Sequence, residues 1–221
     1  MTVRSAWALV VLALLPVLRV FLPVFLPVLM AAPADAAPSV YTLDPTRSRM
    51  TIEVGKAGVF GFAGHEHQVV AGTFRGTATF DPQRLAQSSV DLTFDAGALR
   101  VTGKGEPPED VPQVQATMVS PTCLDAGRFP AIRFVSSSVA AAGVAGPGGG
   151  DLIVRGALTL HGITRPLAIR VHLAVAGPTL EATGATTLKQ SDFGITPISK
   201  AGVVKVKDEL TLSWRISGRA R

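Results

Sequence analysis

The sequence is short of cysteine, aromatic residues and charge. One cysteine in 221 residues, Cys123, cannot close an intramolecular disulfide or build a Cys-rich zinc site. Aromatic residues make up 6% of the chain, with a single tyrosine, and charged residues 17%. Lys and Arg number 21 against 16 Asp and Glu, a net +5, yet no basic run follows one face, so nucleic acid is not an expected partner. There is no Gly-x-Ser-x-Gly elbow, no phosphate-cradling Gly-x-x-x-x-Gly-Lys and no His-Glu-x-x-His, and no residue is assigned a catalytic role. What the chain does have is apolar surface. At 47% hydrophobic it is too apolar for a disordered segment, and its length suits a single domain.

The apolar residues are unevenly spread. Residues 6–32 hold the long apolar run, preceded by Arg4 and ending in Ala31-Ala32-Pro33-Ala34-Asp35-Ala36-Ala37. A positive start, an apolar middle and the small-residue pattern Ala34-Asp35-Ala36 read as a secretory signal peptide over 1–36. A retained membrane anchor is the alternative, since a span needs about 20 apolar residues. Arg19 in the middle of the run, with Pro16, Pro23 and Pro27, opposes it. The expectation is a periplasmic or secreted domain over 37–221, with no stable membrane insertion after cleavage. A homodimer is left open.

Within that domain the dominant period is two. Met50, Ile52 and Val54 alternate with polar neighbours, as do Phe74, Ala78 and Phe80, and Leu92 and Phe94. Leu158 and Leu160 share one parity; Ile169, Val171 and Leu173 share another; Leu212 and Trp214 close the set. Such alternation gives a strand one apolar and one wet face. Asp81-Pro82-Gln83, the stretch Gly143 to Gly150, His161 to Pro166, and Gly177-Pro178 read as connections. Asp110 to Leu124 reads as a helix, with Asp110 as N-cap, Pro112 in its first turn and Pro121 kinking or ending it. The pattern predicts an all-β fold: an extended antiparallel barrel of about eight strands with one short helical segment.

A closed barrel of about eight strands either fills its interior or keeps room for one small ligand. The inward parity carries small residues, among them Gly76, Ala78, Gly156, Ala182 and Gly184. Two readings stand: these leave volume near the axis for an elongated apolar ligand, or they only permit close packing. The candidate lumen lining is Ile52, Val54, Phe74, Phe80, Leu92, Phe94, Phe134, Leu158, Leu160, Ile169, Val171, Leu173, Leu212 and Trp214.

Several segments, in order, resemble the YceI-like family of secreted or periplasmic lipocalin-like proteins that bind polyisoprenoid lipids. They are Tyr41 to Ser48, Gly72 to Gly76 with Phe80-Asp81-Pro82, Phe129 to Phe134, Gly156 to Pro166 and Ser191 to Ile195. Gln190 stands where the family pattern has a basic residue, and Gly64-His65-Glu66-His67 looks like a divergent branch. The resemblance implies an extended barrel holding an isoprenoid lipid or a quinone, with no other cofactor.

His65 and His67 lie two apart, so on a strand both rings share a face. Two imidazoles suit zinc, copper or nickel, but a site needs further ligands. The alternatives are a polar rim at the barrel mouth and a contact to a ligand head group. His161 reads as a turn residue, His172 as solvated, and Lys200, Lys205 and Lys207 as a basic group on a wet face. Three functions follow: an exported lipid-binding protein, a metal-binding protein using His65 and His67, or a ligand-free structural or stress-response barrel.

Overall fold

The computed structural model describes residues 37–57, 66–200 and 204–221. The 1–36 segment and His65 lie outside them. Eleven strands and one α-helix occur among the described residues: β1 (Ser39–Ala57), β2 (His67–Ala71), β3 (Phe74–Phe80), β4 (Ser89–Asp95), β5 (Leu99–Val101), α1 (Val111–Val119), β6 (Ala131–Gly146), β7 (Gly149–Leu160), β8 (Ile163–Ala176), β9 (Thr179–Lys189), β10 (Ser199–Lys200) and β11 (Val204–Ala220). Eight of them close a ring in the order β1-β3-β4-β6-β7-β8-β9-β11 and back to β1, every pair antiparallel. The fold is the all-β antiparallel barrel that the alternation predicts. β2 and β5 continue the sheet from β1, and β10 pairs with β11.

Short turns make this meander. His161 and Gly162 both have positive φ, 51° and 74°, the type I′ pattern that matches strand twist. The glycine tract is mostly strand and not connection: only Pro147-Gly148 separates β6 from β7. Gly149 pairs with Ala174 at a φ of 101°, and a Cβ there would lie 2.1 Å from the Leu173 carbonyl oxygen. Only glycine allows β7 to begin there, against β8.

Two bulges swap faces along long strands. In β1 the register against β11 slips between Asp44 and Arg49. Asp44 Oδ1 accepts from the Thr46 amide at 2.8 Å, and Pro45 has no amide to give to a ladder. The first half of β1 pairs with β3 and the second with β2. In β6 the slip falls between Ser136 and Ser138, so Phe134 and Val139 both point inward despite opposite parity.

α1 is shorter than expected. Ser120 is extended, with ψ of 169°, because the residue before a proline avoids the helical region, and the helix stops there. Asp110 stands at the N-cap position, but it has helical dihedrals and its side chain makes no capping bond. The helix is instead tied to the sheet by Gln115. Its Oε1 accepts from the Val101 amide at 2.9 Å, and its Nε2 donates to the Leu99 carbonyl at 3.0 Å, which caps the edge of β5.

Candidate functional site

The inward faces enclose a cavity of about 290 Å³ with an almost wholly apolar lining. An apolar cavity of ~150 Å³ already stays dry and takes up a benzene-sized guest, so this lumen has room for part of a lipid chain. Thirteen of the fourteen expected lining residues face it. The exception is Phe74: its ring packs against Phe94 at 5.3 Å between centroids, and it does not reach the cavity.

The small inward residues do not simply leave space. A Cβ on Gly184 would fall 2.4 Å from the Trp214 ring, and one on Gly156 would fall 2.8 Å from the Phe134 ring. Both glycines are floors on which an aromatic lies. The cavity survives because aromatics are few, and because the inward residues of β9 near Gly184 are Ala182 and Thr186.

One end of the barrel is tightly closed. Leu43, Phe80, Leu173, Leu180 and Ile216 are all buried there. Toward the other end, Ile52, Val54, Leu188, Leu210 and Leu212 line the cavity while only half-buried. The sequence reading missed what covers this end: Met118 of α1, with Cys123 and Leu124 just after it, also lines the cavity. Met118 was visible at helical spacing, but nothing local says that the helix lies on the barrel. Burial pushes the Cys123 thiol up from its ordinary range.

The ring has one weak seam. β8 and β9 pair only where His172–Ala176 meets Thr179–Thr183. Below that the short helical turn Ser191–Phe193 bridges them. Arg165 Nε donates to the Asp192 carbonyl at 2.9 Å, and His161 Nδ1 donates to the Phe193 carbonyl at 3.1 Å. Thus His161 sets turn geometry, as expected. Gln190 lines the cavity, and its Nε2 donates to the Lys207 carbonyl at 2.8 Å, a role that a basic residue would fill differently.

His67 sits at the half-buried end. It is paired with Val54 and shares a strand face with Val69, and both of those line the cavity. Its Nδ1 lies 3.0 Å from Oε1 of Glu106, whose side chain is 1% exposed. Among the described residues no three metal-ligating side chains cluster. His172 is exposed, and its Nδ1 donates to Asp151 at 2.8 Å on the outer face. Lys207 is exposed, while the side chains of Lys200 and Lys205 lie outside the described residues. No helix among the described residues is long and apolar enough to cross a membrane.

Known proteins share this architecture. A family described as YceI-like domain matches residues 41–217. A UPF0312 protein of Vibrio parahaemolyticus is 27% identical over 82% of this chain and 91% of its own length. A UPF0312 protein of Shewanella sp. is 40% identical, but over 33% of this chain and 38% of its own length. The match to that Shewanella relative thus spans under half of its length. Among solved structures, Burkholderia cenocepacia BcnA superposes with a TM-score of 0.63 at 22% identity, covering 79% of this chain and 98% of that one. A polyisoprenoid binding domain from Saccharophagus degradans, implicated in plant cell wall breakdown, superposes at 0.58 with 12% identity, covering 82% and 98%.

Proposed function

We propose, for a chain that belongs to the YceI-like family, that it is an exported carrier holding one long apolar lipid, a polyisoprenoid or a quinone-like molecule, in its lumen without chemistry of its own. The observation that carries this reading is the lumen: about 290 Å³ of apolar space bounded by half-buried Ile52, Leu188 and Leu212. Each CH₂ moved from water into such a space gains about 0.8 kcal/mol, so a branched hydrocarbon tail is the kind of ligand it favours. The name of the Saccharophagus domain points the same way. Export rests on the signal-like order of residues 1–36.

Native mass spectrometry of the protein purified from its own compartment, followed by denaturing extraction, tests it. The expected result is a stoichiometric apolar adduct, lost in Leu212→Trp, which fills the lumen from its half-buried side. A clean apo mass, with no uptake of added prenyl lipid, would overturn the reading.

A further inference from the structure

β8 and β9 are each laddered along most of their length on one side only. β8 follows β7 from Ile163 to Ala174, and β9 follows β11 from Thr179 to Lys189. Toward each other they pair no further than His172 with Thr183. Beyond that point residues 164–171 of β8 and 184–189 of β9 have no ladder partner across the seam. An unpaired backbone edge is stable where water reaches it, so the seam is wet along its outer side. Its banks nevertheless line the apolar lumen, with Leu167 and Ile169 on β8 and Thr186 and Leu188 on β9.

The turn Ser191–Phe193 straps the lower end of the seam, and it is fastened unequally. Four bonds tie it to β11. The Gln190 amide donates to the Asp208 carbonyl at 2.9 Å, and Gln190 Nε2 donates to the Lys207 carbonyl at 2.8 Å. The Ser191 amide and hydroxyl donate to the Asp208 carboxylate at 2.8 and 2.5 Å. Toward β8 there are only two, from Arg165 to the Asp192 carbonyl and from His161 to the Phe193 carbonyl. Arg165 is exposed, so water competes for its bond. Opening the ring between β7 and β8 would break a backbone ladder along the whole strand. Opening it at the seam breaks two side-chain bonds and the contact of Ile163 with Gly194.

We propose that the seam between β8 and β9 is the portal by which the lipid enters and leaves the lumen, with Arg165 and His161 as its latch. The proposal rests on the carrier reading and adds the route. Leu167, Ile169 and Leu188 keep a passing hydrocarbon tail in apolar contact. On the β9 bank Ala182, Gly184 and Thr186 put no large side chain in its way. The end under α1 is the competing route, and there Gln115 bonds twice to the backbone of β5.

A portal sets rates and not affinity. Loosening its latch speeds uptake and release by the same factor and leaves Kd unchanged. The test follows a fluorescent geranylgeranyl probe by stopped flow, into the delipidated protein and out of it into excess vesicles. Arg165→Ala should raise both rates about two- to ten-fold, the factor for one lost hydrogen bond. An unchanged Kd also shows that the variant is folded. Ala168→Cys with Thr187→Cys, in a Cys123→Ala background, puts one thiol on each bank. Bridging them with a short bismaleimide should slow both rates about ten-fold or more relative to the same protein unbridged. Gln115→Ala, which loosens α1, should change neither rate. A bridged protein that exchanges the probe as fast as the unbridged one would overturn the portal and leave the carrier reading in place. So would rates that ignore Arg165→Ala and rise in Gln115→Ala, because the lipid would then pass under the helix. A parent protein that takes up no probe would overturn the carrier reading, and the portal with it.

Discussion

The two walls of the barrel are built from similar alternating strands and behave differently. On β4, β6 and β7 the inward residues Leu92, Phe94, Phe134, Leu158 and Leu160 are all below a tenth exposed. On β1, β9 and β11 the inward residues Ile52, Leu188, Leu210, Leu212 and Trp214 are half-buried. The difference lies in side-chain size near the axis. The first wall carries two large rings in the lining, Phe94 packed against Phe74 and Phe134 lying over Gly156. The second has Ala182, Gly184 and Thr186 on β9 and one large ring, Trp214, laid flat over a glycine. Alternation tells which face is inward; the volumes on that face decide which wall the cavity lies against.

The same substitution on each wall gives the sharpest test. Leu158→Ala should cost about 2–5 kcal/mol in urea denaturation, the range for emptying a close-packed site. Leu212→Ala should cost clearly less, since it enlarges a space that already exists, and should instead alter lipid binding. Equal stability losses would erase the distinction between the walls.

Gly184→Ala attacks the open wall at its one ring. The new Cβ meets the Trp214 ring at 2.4 Å and the Arg170 carbonyl oxygen at 2.6 Å, so the ring or β8 must move. We expect a loss of about 1–3 kcal/mol, the usual cost of overpacking, together with a shift in the tryptophan emission spectrum. An unchanged spectrum would mean that Trp214 does not rest on Gly184 in solution.

Cys123 reports on the lumen from the helix side. Its thiol is pushed up by burial and lines the cavity, so a thiol reagent at neutral pH should react slowly, and more slowly still with lipid bound. Reaction at a rate independent of added lipid would place the ligand elsewhere.

The smallest effect is on acid stability. Hydrogen bonds from Thr46 lower Asp44, the Arg133 guanidinium lowers Asp91, and Ser191 lowers Asp208. Burial would raise Asp81, but the amides of Arg84 and Gln83 and the Arg84 guanidinium outweigh it. Each group is depressed in the folded state, so the unfolded chain binds more protons in that range. The stabilisation is present above the ordinary carboxylate pKa of about 4 and is lost as pH falls below it. A melting temperature that stays flat from neutral pH down through that range would contradict the assignment.

Much of the barrel was legible because strand faces are a local property. Thirteen lining residues follow from period two, whereas the parity slips between Asp44 and Arg49 and between Ser136 and Ser138 come from the strand pairing alone. The depth of the lumen was not legible. Gly156 and Gly184 read equally as space or as contact, and only the positions of Phe134 and Trp214 on neighbouring strands answer that. Phe74 was misplaced for the same reason: parity gives the face, while its partner Phe94 decides how far it reaches.

By itself the sequence determined the barrel, its short turns and the side of each strand that avoids water, because these depend on residues a few positions apart. The tertiary structure alone decided where the cavity lies, which segment covers its open end, and that Glu106, 39 positions from His67, comes to lie 3.0 Å from its ring. Those contacts join segments with no shared local pattern, and burial against a distant surface leaves no period in the chain.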